Sequence, residues 1–209
     1  YKAFAEELCL RGFVVYSPQN PYYGRDKFRV LQRMSNPLGR TLYSYIIPQH
    51  EQTLDWLASL PQVDPNRIAF YGLSYGGKTA MRVPPFVTRY SLAICSGDFT
   101  DWIRTIAGNS TRYNYIFTTE YEIPEWNMGH VASYAELAML MTPRPFMVER
   151  GRLDGGAPPE WVASEYARFR RHYDKLGIGE KTEIEFFDGP HTINAQGTFR
   201  FLHRHLNWP

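Results

Sequence analysis

Apolar positions 1, 4, 5 and 8 of Tyr1-Lys2-Ala3-Phe4-Ala5-Glu6-Glu7-Leu8 recur at helical spacing, and Gly12 ends the helix they predict. The apolar run Phe13-Val14-Val15-Tyr16 stops at Ser17-Pro18 and predicts a buried strand. Residues 18–41, rich in Pro, Asn, Gly and Arg, read as a loop holding a short helix. A helical stretch then runs to Leu57 and Leu60 before Pro61, with Pro48 expected to kink or divide it. Residues 67–71, 92–95, 145–148 and 183–187 predict four more strands. Between the last two, Val162, Tyr166, Phe169, Tyr173 and Leu176 alternate spacings of four and three, charge fills the other face, and Gly177 supplies the stop. Strands alternating with helices imply an α/β fold, a mostly parallel sheet with helices on both faces.

Residues 98–142 break this rhythm. The stretch holds Trp102, Tyr113, Tyr115, Phe117, Tyr121 and Trp126 and is too long for a simple connection. It reads as an excursion over the carboxyl edge of the sheet, where α/β folds bind ligands, its aromatics serving either as pocket wall or as core. Residues 1–209 together read as one domain. The chain opens at Tyr1, already in a helical pattern, like a chain that starts in mid-domain, so its compartment is not legible.

Charge and cysteine content narrow the chemistry. A formal net charge of +2, with the two signs interleaved, offers no basic stripe for nucleic acid. No apolar run approaches the roughly 20 residues that cross a bilayer. Cys9 and Cys95 lack C-x-x-C spacing, His203 and His205 stand two apart on a helix, and His50, His130 and His172 have no ligand-spaced companion, so no metal is expected.

The stretch Gly72-Leu73-Ser74-Tyr75-Gly76-Gly77-Lys78-Thr79 fits two motifs. Read whole, it is the G-x-x-x-x-G-K-[ST] loop that cradles phosphate; read to Gly76, it is the G-x-S-x-G turn that presents a nucleophilic serine. Both want a strand before and a helix after, and residues 75–82 supply the helix, stopped by Pro84-Pro85. A phosphate loop also needs an acidic residue at another strand end to hold magnesium, and Asp98 follows residues 92–95 only after Ser96-Gly97. A serine nucleophile needs a histidine to take its proton and a carboxylate to orient that histidine, in the chain order Ser, acid, His. Asp154 sits in a glycine-flanked turn after residues 145–148, and His191 in a tight loop after residues 183–187, with Asp98 and Asp101 as the alternative acids. The serine reading is therefore preferred. In it Gly72 and Gly76 are glycines because side chains there would collide, and the Tyr75 amide at the helix start is one oxyanion donor.

These residues resemble the α/β-hydrolase superfamily, and within it the dienelactone-hydrolase-like and acetyl-xylan-esterase-like serine esterases, close to the catalytic domain of prolyl-oligopeptidase-type enzymes. The likeness is carried by Val63-Asp64-Pro65-Asn66-Arg67-Ile68 leading into the serine motif, by residues 151–158, and by Asp188-Gly189-Pro190-His191, and it covers nearly the whole chain. It implies an α/β-hydrolase fold without cofactor, in which Ser74 attacks an ester carbonyl, His191 shuttles the proton and Asp154 orients His191. The implied substrate is a small acyl or acetyl ester, including esters of carbohydrate, with a prolyl-oligopeptidase-type peptidase or a noncatalytic binding module as alternatives. In such enzymes the second oxyanion donor comes from the loop before the helix that is residues 1–10 here, so the resemblance implies that this loop and the strands before it are not in the chain. Losing one such donor costs about a hundredfold in rate, unless another segment, such as residues 18–26, takes the role.

Overall fold

A computed structural model of the protein describes residues 3–19, 21, 26–108, 112–115, 125 and 127–208. Four strands, β1 (Ala69–Leu73), β2 (Leu92–Ser96), β3 (Phe146–Gly151) and β4 (Thr182–Phe187), form one parallel sheet in the order β1-β2-β3-β4. The helices are α1 (Phe4–Cys9), α2 (Asp26–Ser35), α3 (Tyr43–Ala58), α4 (Tyr75–Arg82), α5 (Trp102–Ala107), α6 (Met128–Val131), α7 (Tyr134–Met139), α8 (Pro159–Lys175) and α9 (Gly197–Leu206).

The two-residue period of each strand sorts its side chains between two cores. Ala93, Cys95, Phe146 and Val148 point to one face and pack with Ala80 and Met81 of α4, with α7, and with Val162, Tyr166, Phe169 and Tyr173 of α8. Leu92, Ile94 and Met147 point to the other and pack with Leu8 of α1 and Phe199, Phe201, Leu202 and Leu206 of α9. The predicted stripe of α8 is thus buried except at its end, where Leu176 is exposed and Gly177 turns the chain at φ +69°.

Three expectations are corrected. The run 13–16 is not a strand: among the described residues β1 pairs only with β2, so the run has no ladder partner. Phe13 and Val15 instead pack on the core beside Ala69 and Tyr71, while Val14 and Tyr16 stay exposed. Pro48 does not divide its helix; α3 runs unbroken through it, held by the buried Tyr43, Ile46 and Leu54. Within 18–41 the helix is a full ten residues, α2.

Of the aromatic stretch, Phe99, Trp102 and Tyr134 are core, with Trp102 and Tyr134 stacked at 5.3 Å. Phe117, Tyr121 and Trp126 lie outside the described residues. No described helix is long and apolar enough to cross a membrane.

Candidate active site

Ser74 occupies the single residue between β1 and α4, at φ +60° and ψ −120°. A non-glycine residue there is strained by about 1–3 kcal/mol, and persists only where its surroundings enforce it. They do: the Ser74 N–H donates to the Ser96 carbonyl at the end of β2 (2.9 Å), and the Lys78 N–H donates to the Ser74 carbonyl (2.8 Å). Tyr75 is the first residue of α4, so its N–H belongs to the first turn, whose donors the helix itself does not use.

The glycines share the work unequally. A Cβ at Gly72 would fall on the Gly76 backbone, as expected, but a Cβ at Gly76 would meet nothing within 4 Å. The close approach of the two backbones therefore requires glycine at Gly72 but leaves side-chain room at Gly76, which corrects the expectation of a collision there. The second sterically locked glycine is Gly77, whose Cβ would strike the Ser96 carbonyl and come within 3.0 Å of the Asp98 Cβ.

Asp154 and His191 meet at the carboxyl ends of β3 and β4. The His191 Nδ1–H donates to Asp154 Oδ2 at 2.7 Å, and the Gly156 N–H donates to Oδ1 at 3.0 Å. Arg150, itself buried, brings Nη1 to 3.3 Å from the same Oδ2 and donates from Nη2 to the Ala157 carbonyl. Burial alone would raise the Asp154 carboxyl, but the His191 hydrogen bond, Arg150 and the Gly156 amide together hold it below its ordinary value, as a carboxylate.

The two loops are stitched together by the Arg152 N–H to the Phe187 carbonyl and the Leu153 N–H to the Gly189 carbonyl. Gly151 allows this, since a Cβ there would strike the Gly189 and Pro190 carbonyls. The His191 ring in turn lies against Gly97, where a Cβ would be 2.9 Å from Cε1. Gly97 directly follows the residue that holds the Ser74 amide. Among the described residues no hydrogen bond joins Ser74 Oγ to His191, a contact that in unliganded enzymes often closes only around substrate.

The alternative acids are engaged elsewhere. Asp98 accepts from the Tyr134 hydroxyl at 2.8 Å, and Asp101 caps α5 by accepting from the Arg104 N–H. The phosphate-loop lysine points away from any loop mouth: Lys78 is buried, 3.1 Å from Glu125 and 4.5 Å above the Trp102 ring. Among the described residues no group of three His, Cys, Asp or Glu could hold a metal ion.

The sequence matches the profile of the Prolyl oligopeptidase family over residues 44–196, most of the chain and all of the site just described. The chain belongs to the prolyl oligopeptidase family. Its fold is that of the α/β hydrolases, as solved structures show. A Bacteroides fragilis protein assigned as an acetyl xylan esterase aligns at TM-score 0.68 and 16% identity, covering 98% of this chain and 57% of that one. A carbohydrate esterase family 15 glucuronoyl esterase from Caldicellulosiruptor kristjansonii aligns at 0.64 and 18%, covering 79% and 50%. The acylaminoacyl peptidase of Pyrococcus horikoshii aligns at 0.54 and 18%, covering 85% and 27%. The chain thus spans about half the length of the esterases it matches. No protein of curated function matches its sequence significantly.

Arg150, Gly77 and Gly97 were not legible in the sequence as residues that shape this candidate site. One signal was available: two charged residues directly follow the apolar run 145–148, and a strand that continues through them to Gly151 must bury both.

Proposed function

We propose that this protein is a serine hydrolase of carboxylic esters, acting through an acyl-enzyme on Ser74. The observation that supports it most is the 2.7 Å Asp154–His191 pair, set at adjoining strand ends beside a serine held at φ +60°. Ser74 Oγ attacks the ester carbonyl carbon while His191 Nε2 takes the hydroxyl proton, and the Asp154 carboxylate stabilises the resulting imidazolium. The Tyr75 N–H donates to the oxyanion. His191 then gives the proton to the leaving alcohol as the C–O bond breaks, and water repeats the sequence to free the acid.

Carbohydrate esters, acetyl or glucuronoyl, are the preferred substrate class, because the proteins aligned above over most of this chain carry the names of a glucuronoyl esterase and an acetyl xylan esterase. The family match and the acylaminoacyl peptidase likeness favour a second reading, a serine peptidase. A fluorophosphonate label mapped to Ser74, absent in Ser74→Ala and His191→Ala, tests the nucleophile. Turnover of 4-nitrophenyl acetate and methyl glucuronate against an aminoacyl 4-nitroanilide then separates esterase from peptidase. We expect ester turnover that falls by about 10⁴-fold or more in both variants; equal labelling in all three proteins would overturn the reading.

A further inference from the structure

Glu149 is a fully buried carboxylate in β3 that the chemistry above does not use. It shares a sheet face with Met147, and its register neighbours are Ser96 on β2 and Glu185 on β4. Among the described residues five donors converge on it, and none is a cation. At Oε2 are the Ser96 hydroxyl (2.6 Å) and the Tyr71 hydroxyl (3.1 Å); at Oε1 are the Asn194 and Ala195 N–H groups (both 3.1 Å) and the Thr198 hydroxyl (3.5 Å).

The two oxygens therefore serve two parts of the site. Oε2 binds β1 and β2: Tyr71 stands three residues before Ser74, and Ser96 is the residue whose carbonyl holds the Ser74 amide. Oε1 binds the segment that begins at His191. Ala195 there has φ +66°, a conformation an alanine adopts at a cost, and Glu149 accepts its N–H. Glu185 also holds this segment, through the Asn194 side chain and the Gly197 N–H, but none of its hydrogen bonds reaches β1 or β2.

We infer that Glu149 is a positioning residue of the site, its buried carboxylate fixing the segment that carries His191 relative to the strand ends that carry Ser74. The inference rests on the proposed role of His191 as proton carrier. A displacement of about 1 Å at a reacting group can cost about a hundredfold in rate, so a rigid tie here acts on turnover and not on substrate binding.

Glutamine makes the test selective. The Glu149→Gln side chain keeps one carbonyl oxygen for the two backbone amides, and its NH2 faces hydroxyls of Ser96 and Tyr71, which can rotate to accept. Glu149→Met fills similar space and accepts nothing. Glu149→Asp keeps the charge but is one methylene too short to serve both sides. With 4-nitrophenyl acetate, we expect kcat about a hundredfold lower in Glu149→Met with KM within twofold, about tenfold lower in Glu149→Asp, and within threefold of wild type in Glu149→Gln. If Glu149→Met yields no folded protein, Glu149→Asp decides. Hydrogen exchange of the peptide spanning residues 190–198 gives a readout free of turnover, with protection lost in Met or Asp and kept in Gln. Unchanged kcat and protection in the Met or Asp variant, or equal losses in Gln and Met, would overturn the inference. Failure of the functional reading looks different: Ser74→Ala would then retain whatever activity the wild type has, while the exchange contrast would still report on Glu149.

Discussion

Two buried charge clusters flank the Ser74 turn, one on each face of the sheet, and they are built on opposite principles. On the α4 face Lys78 and Arg82 share Glu125, with Lys78 at 3.1 Å and Arg82 at 3.3 Å, while Arg82 also lies 4.6 Å from the Tyr134 ring centroid. On the α9 face Glu149 is held, among the described residues, by neutral donors alone. The first joins α4 to a residue more than forty positions along the chain, through full charges whose loss is severe. The second spreads one negative charge over many weak bonds, each aimed at a different part of the site. The comparison teaches that buried charge can serve cohesion in one place and geometry in another, and that variants separate the two.

The largest expected effect on stability is at the cationic cluster. Glu125→Ala removes the carboxylate that Lys78 and Arg82 share and should cost about 3–5 kcal/mol in denaturant unfolding. Its rate of Ser74 labelling per folded molecule should stay within about threefold of wild type, the reverse of the pattern expected for Glu149. A loss of labelling as large as that of Glu149→Met would erase the distinction.

The clusters should also respond oppositely to pH. At Glu125 burial raises the carboxyl, but Arg82 and Lys78 outweigh it and set it below the ordinary 4.5. Between that lowered value and 4.5 the unfolded chain binds more protons, so this contribution is full above 4.5 and is lost as pH falls through the folded value. At Glu149 burial prevails over the Ser96 and Ala195 hydrogen bonds and sets the carboxyl above 4.5. There the folded chain binds more protons, so its contribution is full below 4.5 and declines as pH rises through the raised value. In unfolding free energies across this range, the margin of wild type over Glu125→Gln should widen with rising pH below 4.5, and its margin over Glu149→Gln should narrow above it. Slopes of one sign would end the contrast.

The smallest effect sharpens the picture. Tyr71→Phe removes one of five donors to Glu149 and should cost about 0.5–1.5 kcal/mol, with kcat unchanged because both amide bonds to the His191 segment remain. A kcat loss comparable to Glu149→Asp would mean that the tie to β1 alone sets the geometry.

Why some of this was readable from sequence and some was not follows from distance along the chain. The turn around Ser74 is a local matter: Gly72 and Gly76 meet within five residues, so a short motif carries their geometry. Gly77 answers to Ser96 and Gly151 to Gly189, contacts between segments far apart in the chain that no local pattern displays. The run 13–16 has the composition of a strand, but a strand needs a neighbour, and composition does not say whether one is there. Pro48 removes one helical hydrogen bond, a local cost that the burial of Ile46 and Leu54 on a distant core outweighs.

Hydrophobic periodicity by itself determined the alternation of helices and strands, and with it the parallel sheet, because side-chain spacing and backbone period are the same quantity read two ways. The order Ser74, Asp154, His191, each after a strand, was likewise written in the chain. Which acid meets the histidine was decided only in three dimensions, where the Arg152 and Leu153 amides bring Asp154 to His191 while Tyr134 takes Asp98. So was the role of Glu149, which looks in sequence like the polar end of a strand. Its five donors among the described residues come from three separate stretches of chain, and only tertiary packing brings them to one carboxylate.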